Sequence, residues 1–111
     1  MNTEDMSQRK CVPCEGGMPP LDEKVILDHL GAVHGWTLEA DSITRDFTFK
    51  DFKEALAFVN KVGALAEVEG HHPDISLHNY KKVTIALTTH AAKGLTDNDF
   101  IMAAKINLLT A

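Results

Sequence analysis

Two stretches alternate apolar and polar side chains with a period of two, and each comes shortly after a stretch of helical spacing. In one, Ile43, Phe47 and Phe49 alternate with Thr44, Asp46 and Thr48, while Arg45 interrupts the apolar set and reads as lying near the strand's exposed end. In the other, Val83, Ile85 and Leu87 alternate with Lys82, Thr84, Ala86 and Thr88. Such alternation requires a sheet with one face buried and the other wet. Each long strand has a shorter partner upstream, Trp36 to Leu38 and Asp74 to His78, with turn chemistry at Ala40-Asp41-Ser42 and near Asn79. The pattern predicts two antiparallel hairpins.

Three helical stretches frame them. Leu21 to His34 carries Val25, Ile26, Leu30 and Val33 at helical spacing, with Asp22 as N-cap and Gly35 as the stop. His29 and His34 read as surface or end-of-helix residues. Asp51 to Glu69 is the longest, capped by Asp51, ended by Gly70 and striped by Phe52, Ala55, Leu56, Val59, Val62 and Ala66. Leu95 to Leu109 is the last, with Thr96 as N-cap and Asp99 at its third position in a near capping box. Its apolar residues almost encircle it, which predicts subunit contacts. The order α-β-β-α-β-β-α predicts an α+β fold, a four-stranded antiparallel sheet with three helices packed on one face.

At 111 residues the chain is sized for one core. Its net charge of −5 and lack of a Lys/Arg cluster argue against direct nucleic-acid binding. No long apolar run suggests a membrane span and the polar N-terminus does not read as a signal peptide, so no membrane association is expected. Two cysteines are too few for a disulfide scaffold, and the expected location is the reducing cytoplasm. Residues 1–20 read as an irregular N-terminal arm ahead of a domain over 21–111. Within the arm, Cys11-Val12-Pro13-Cys14 is a redox pair, half of a zinc site, or an ordered loop with two free thiols.

The chemistry concentrates between Glu67 and Asp99. Glu67 is followed after three residues by His71-His72-Pro73, after six more by Tyr80, after nine by His90 and after eight by Asp99. Histidine titrates nearest neutrality, so three in one segment suit proton transfer or metal binding. Zinc sites more often take histidines at i, i+4 or pair them with cysteines, so no metal is expected. Strand parity puts His90 on the polar side, and His78, near a turn, reads as solvent-facing. Asp99 has a full structural explanation as a capping residue. Glu67 either orients an imidazole or is a surface carboxylate at a helix end. No phosphate-cradling glycine loop is present, and no cofactor is expected.

This spacing resembles the signature of the pterin-4a-carbinolamine dehydratases, and the likeness extends from Leu21 to Leu108, through Gly35-Trp36 and the run Phe47 to Phe52. The resemblance implies that His71, His72 and His90 line a pterin site. His71 and His90 would do acid/base work at the 4a-hydroxyl. His72 would bind substrate and share proton transfer, Pro73 would fix the chain beside it, and Glu67 and Asp99 would support. The implied reaction is dehydration of a 4a-hydroxytetrahydropterin to quinonoid dihydropterin, recycling the pterin of aromatic amino acid hydroxylases. A homodimer or homotetramer is implied as well. The alternatives are a non-catalytic dimerisation or interaction cofactor, as one family member is, and a related role in molybdopterin metabolism.

Overall fold

A computed structural model describes residues 3–12 and 19–110; Cys14 therefore lies outside the described residues. The elements are α1 (Thr3–Gln8), α2 (Glu23–Ala32), β1 (Thr37–Glu39), β2 (Ser42–Thr48), α3 (Phe52–Glu69), β3 (Asp74–His78), β4 (Lys82–Leu87), a 3-10 turn (His90–Ala92) and α4 (Asp97–Leu108). The strands form one antiparallel sheet in the order β1-β2-β4-β3. Its register sets Ile43 opposite Leu87 and Phe47 opposite Val83, and Ile75 and Leu77 opposite Ile85 and Val83. The alternation therefore points one way across the sheet, and Ile43, Val83, Ile85 and Leu87 are fully buried beneath the helices.

Local chemistry sets the helix ends. Asp22 Oδ1 accepts from the Val25 N–H at 3.0 Å, and Asp51 Oδ1 accepts from the Glu54 N–H at 2.9 Å. Gly70 closes α3 in the left-handed region at φ 69°, where its N–H donates to the Ala66 carbonyl. Gly35 sits at φ 87° against the Arg45 guanidinium, where a β-carbon would lie 2.7 Å from Nε. The face that α3 buries is Ala55, Phe58, Val62 and Ala66. Phe58 packs on Phe47 and Phe49 at centroid distances of 4.7 and 4.9 Å. Replacing it with alanine would cost about 3–5 kcal/mol. Phe52 and Leu56, expected in this stripe, instead face outward, because the buried set follows the spacing 55-58-62-66.

Three further expectations are corrected. The arm is not irregular throughout. Thr3–Gln8 is helical, Met6 is fully buried in the common core, and α1 packs along α4. This explains α4, in which Phe100, Ile101, Met102, Ala103, Ala104 and Ile106 are all buried. Most of its apolar circumference is covered within the chain by α1 as well as by the rest of the core, while Leu108 stays 56% exposed. Trp36 precedes β1 instead of belonging to it, and its indole Nε1 donates to Asn107 Oδ1 at 2.9 Å. Arg45 keeps its place on the apolar side of β2, donates to Asn107 Oδ1 at 2.5 Å and lies 4.6 Å from the Phe47 ring centroid. Its head meets the Asn107 amide, the His34 carbonyl and an aromatic face, so it need not reach the strand's end. Among the described residues no helix is long and apolar enough to cross a membrane.

Candidate active site

The left-handed cap at Gly70 ends α3 and delivers His71 into the interior, where the residue is only 8% exposed. Its Nε2 lies 2.7 Å from Asp99 Oδ1, and Asp99 is fully buried. The second oxygen of Asp99 accepts from the Thr89 hydroxyl at 2.8 Å and from the Thr96 backbone N–H at 2.9 Å. The Thr89 proton is thus committed to Asp99, so Thr96, 2.8 Å away, donates its own hydroxyl proton to Thr89. A carboxylate only accepts. The shared proton therefore sits on His71 Nε2, which leaves Nδ1 as the proton acceptor of the neutral ring.

His72 turns the other way. It is exposed, and its Nε2 lies 2.5 Å from Oε2 of Glu67 in the last turn of α3. Glu67 is thus a surface carboxylate at a helix end that also meets an imidazole, and the contact fits both readings of it. Neighbouring imidazoles thus each meet their own carboxylate, one buried and one wet. Pro73 follows and leads into β3, half-buried.

His90 opens the 3-10 turn after β4 and is exposed, so it leaves the core side through a turn after the strand has ended at Leu87. With Asp41, Ser42, Asp74, Thr88, Thr89 and Lys93 it lines an open cleft of about 380 Å³. The Thr88 hydroxyl donates to the Asp41 carbonyl at 2.7 Å and ties the β1–β2 turn to this rim. His71 and His72 do not line that cleft. What joins them to it is the chain from His71 through Asp99 to Thr89, the residue before His90, and the short link from His72 to Asp74. His78 is bonded to Thr84 on the exposed sheet face, at 3.0 Å. Among the described residues no three His, Cys, Asp or Glu side chains are grouped so as to hold a metal ion.

Several polar residues of structural weight were not legible as such. His29 stands in the last turn of α2, one of the two places expected for it, but it is mostly buried, bonds Asp97 Oδ1 at 3.0 Å and meets the Phe100 ring edge-on. Asp97 also takes Arg9 of the arm at 3.1 Å. Burial pushes the Asp97 carboxyl up, but His29 and Arg9 together hold it below its ordinary range. Asn98, 2% exposed, grips the arm at Val12.

An α+β sheet-and-helix fold with paired histidine–carboxylate contacts beside a cleft is the arrangement to be matched with known proteins. The family model for pterin 4 alpha carbinolamine dehydratase matches residues 19–109. The chain belongs to this family. A Nitrosospira multiformis relative bearing the dehydratase name is 42% identical over 106 residues, which is 96% of this chain and 93% of its own. One from Azoarcus sp. is 47% identical over 103 residues, covering 91% of this chain and 87% of its own. Among solved structures, a Brucella melitensis protein described as a transcriptional coactivator/pterin dehydratase superposes with a TM-score of 0.78 at 35% identity, over 83% of this chain and 99% of that one. A pterin dehydratase-like RuBisCO assembly factor of the alpha-carboxysome shares the fold, with a TM-score of 0.59 at 23% identity over 70% of this chain and 92% of that one.

Proposed function

We propose that this chain dehydrates a 4a-hydroxytetrahydropterin to the quinonoid dihydropterin, and so returns the pterin used by aromatic amino acid hydroxylases. The C4a–O bond breaks and the hydroxyl departs as water with a proton from an acid. A C4a=N5 bond forms as the N5 proton passes to a base. Nothing is oxidised or reduced, so histidines suffice. His71 and His90 carry the two proton transfers, His72 binds the pterin and shares them, and Pro73 fixes the backbone beside it. Glu67 and Asp99 orient His72 and His71. The observation that carries the reading is the His71–Asp99 pair, a nearly buried imidazole with one nitrogen fixed on a carboxylate and the other left to take a proton. The protein would act as a homodimer or homotetramer.

The test is stopped-flow absorbance of 4a-hydroxytetrahydrobiopterin with purified protein, with the spontaneous rate subtracted. Saturable acceleration is expected. Dehydration no faster than buffer at any protein concentration would sink the reading.

A second reading, a non-catalytic interaction protein, draws on the coactivator description of the Brucella relative and on the exposed Phe52 and Leu56 of α3. It predicts a folded oligomer without dehydratase activity.

A further inference from the structure

The N-terminal arm crosses the two segments that supply His71 and its carboxylate. On one side, the Cys11 backbone N–H donates to Glu69 Oε1 at 2.9 Å. Glu69 stands two residues before His71, and its other oxygen takes the Lys105 ammonium of α4 at 3.0 Å. On the other side, Asn98 stands one residue before Asp99. Its Oδ1 accepts from the Val12 N–H at 2.9 Å and its Nδ2 donates to the Val12 carbonyl at 2.7 Å. The Cys11 thiol adds a contact to the Asn98 carbonyl at 3.7 Å. Arg9 then pairs with Asp97, one residue further back in the same first turn of α4.

Three consecutive residues thus divide the work of that turn. Asp97 holds Arg9 and His29, Asn98 holds Val12, and Asp99 holds His71 and Thr89. A first helical turn is the part most ready to fray, since its N–H groups lack intrahelical partners. Fraying here would carry Asp99 away from His71. Asn98 is buried and bonded at both ends of its amide, so it leaves the turn little freedom while the arm stays in place.

We propose that Arg9 to Val12 form a positioning clasp for the His71–Asp99 pair, with Asn98 as its principal positioning residue. The clasp fixes both approaches to the pair and so sets the angle at which His71 presents its proton-accepting nitrogen. This rests on His71 acting in proton transfer as proposed above. Orientation errors of an ångström at a reacting group cost up to about 100-fold in rate, which gives a clasp remote from substrate a kinetic effect.

The experiment compares wild type with Asn98→Ala in the full chain, by long-range proton–nitrogen NMR of the imidazoles through a pH titration and by steady-state dehydration. Expected is a change in the His71 imidazole nitrogen shifts and tautomer balance, with those of His72 and His78 unmoved. A fall in kcat of about tenfold should accompany it, with KM held within roughly twofold. A folded Asn98→Ala protein with a lower Tm but wild-type His71 resonances and kcat would overturn the proposal and leave the arm a purely stabilising element. If Asn98→Ala does not fold, Val12→Pro removes one donor from the clasp. A smaller change in the His71 shifts is then expected, and unchanged His71 resonances overturn the idea. A wild-type protein inert toward the carbinolamine sinks the dehydratase reading, while the His71 spectra still decide the clasp.

Discussion

Asp99 serves two parts of the molecule with one carboxylate: Oδ1 lies 2.7 Å from His71 Nε2, and Oδ2 accepts the Thr96 N–H at 2.9 Å. The cap and the imidazole support are therefore one feature, and a substitution at Thr96 should separate them. Thr96→Ala is expected to cost about 1 kcal/mol through the weakened start of α4, with most turnover kept. Asp99→Asn is expected to lose a similar amount of stability and also about 100-fold in turnover, because it changes which atom meets His71. Urea denaturation with parallel kinetics checks both. Equal losses of turnover in the two variants would mean that the helix start, and not the carboxylate, governs activity.

His71→Ala and His90→Ala are each expected to lower turnover by roughly 100-fold, the range of a general acid or base. His78→Ala, a loss on the exposed sheet face, should leave turnover unchanged and serves as the control. His72→Ala should raise KM more than it lowers kcat, since its exposed pairing with Glu67 suits binding. One imidazole can partly replace another, so the His71/His90 double variant belongs in the series. Wild-type turnover in that folded double variant would remove the catalytic assignment.

How far these residues could be read from sequence follows the distance over which each is determined. The sheet was legible because period-two alternation is local and repeated in two strands. Asp99 was legible as a cap because Thr96 lies three residues before it. The contact of Asp99 with His71 spans 28 residues, and only the family's spacing linked the two. The mid-strand place of Arg45 and the burial of His29 are not legible locally, because their partners, Asn107 and Asp97, lie 62 and 68 residues away. The helix α1 left no periodic signal in its six residues. So short a helix is marginal alone and depends on tertiary contacts, chiefly the burial of Met6 and the packing on α4. Much of the apolar girdle of α4 is therefore covered by a segment of the same chain that gives no local signal, while Leu108 stays exposed.

The two carboxylates that hold the arm, Glu69 at the Cys11 N–H and Asp97 at Arg9, should make its docking sensitive to acid. Burial pushes the Glu69 carboxyl up, but the Cys11 N–H and the Lys105 ammonium more than offset this, and its pKa falls below the ordinary value, as that of Asp97 does. A carboxyl whose folded pKa lies below its unfolded pKa adds stability above the unfolded value, about 4, and loses it as pH falls through the folded value. Glu69→Gln and Asp97→Asn should therefore be less stable than wild type at neutral pH, and the gap should close as pH falls below about 4. Urea midpoints measured across that range test this. A gap independent of pH would show that the carboxylates act through shape and not charge.

Beside single exposed residues such as Leu27 of α2 and Leu108 of α4, apolar surface lies on α3, where Phe52 and Leu56 are 50% and 43% exposed and sit one turn apart. Val59 continues the same side a turn further and is half-buried. Among the described residues the sheet also ends in β3, a five-residue edge strand paired on only one side. Open edges and apolar helix faces are the surfaces by which small domains self-associate. We therefore expect a homodimer or homotetramer in which α3 is buried. Leu56→Glu should shift the sedimentation equilibrium toward monomer at roughly tens of micromolar, where weak self-association is populated. The substitution is at an exposed position, so the fold should survive it, and far-ultraviolet circular dichroism can verify that. A wild-type protein that sediments as a monomer, or a Leu56→Glu variant with unchanged mass, would place the contact elsewhere or remove it. Turnover measured on the dissociated variant then decides whether the histidine site is complete within one chain.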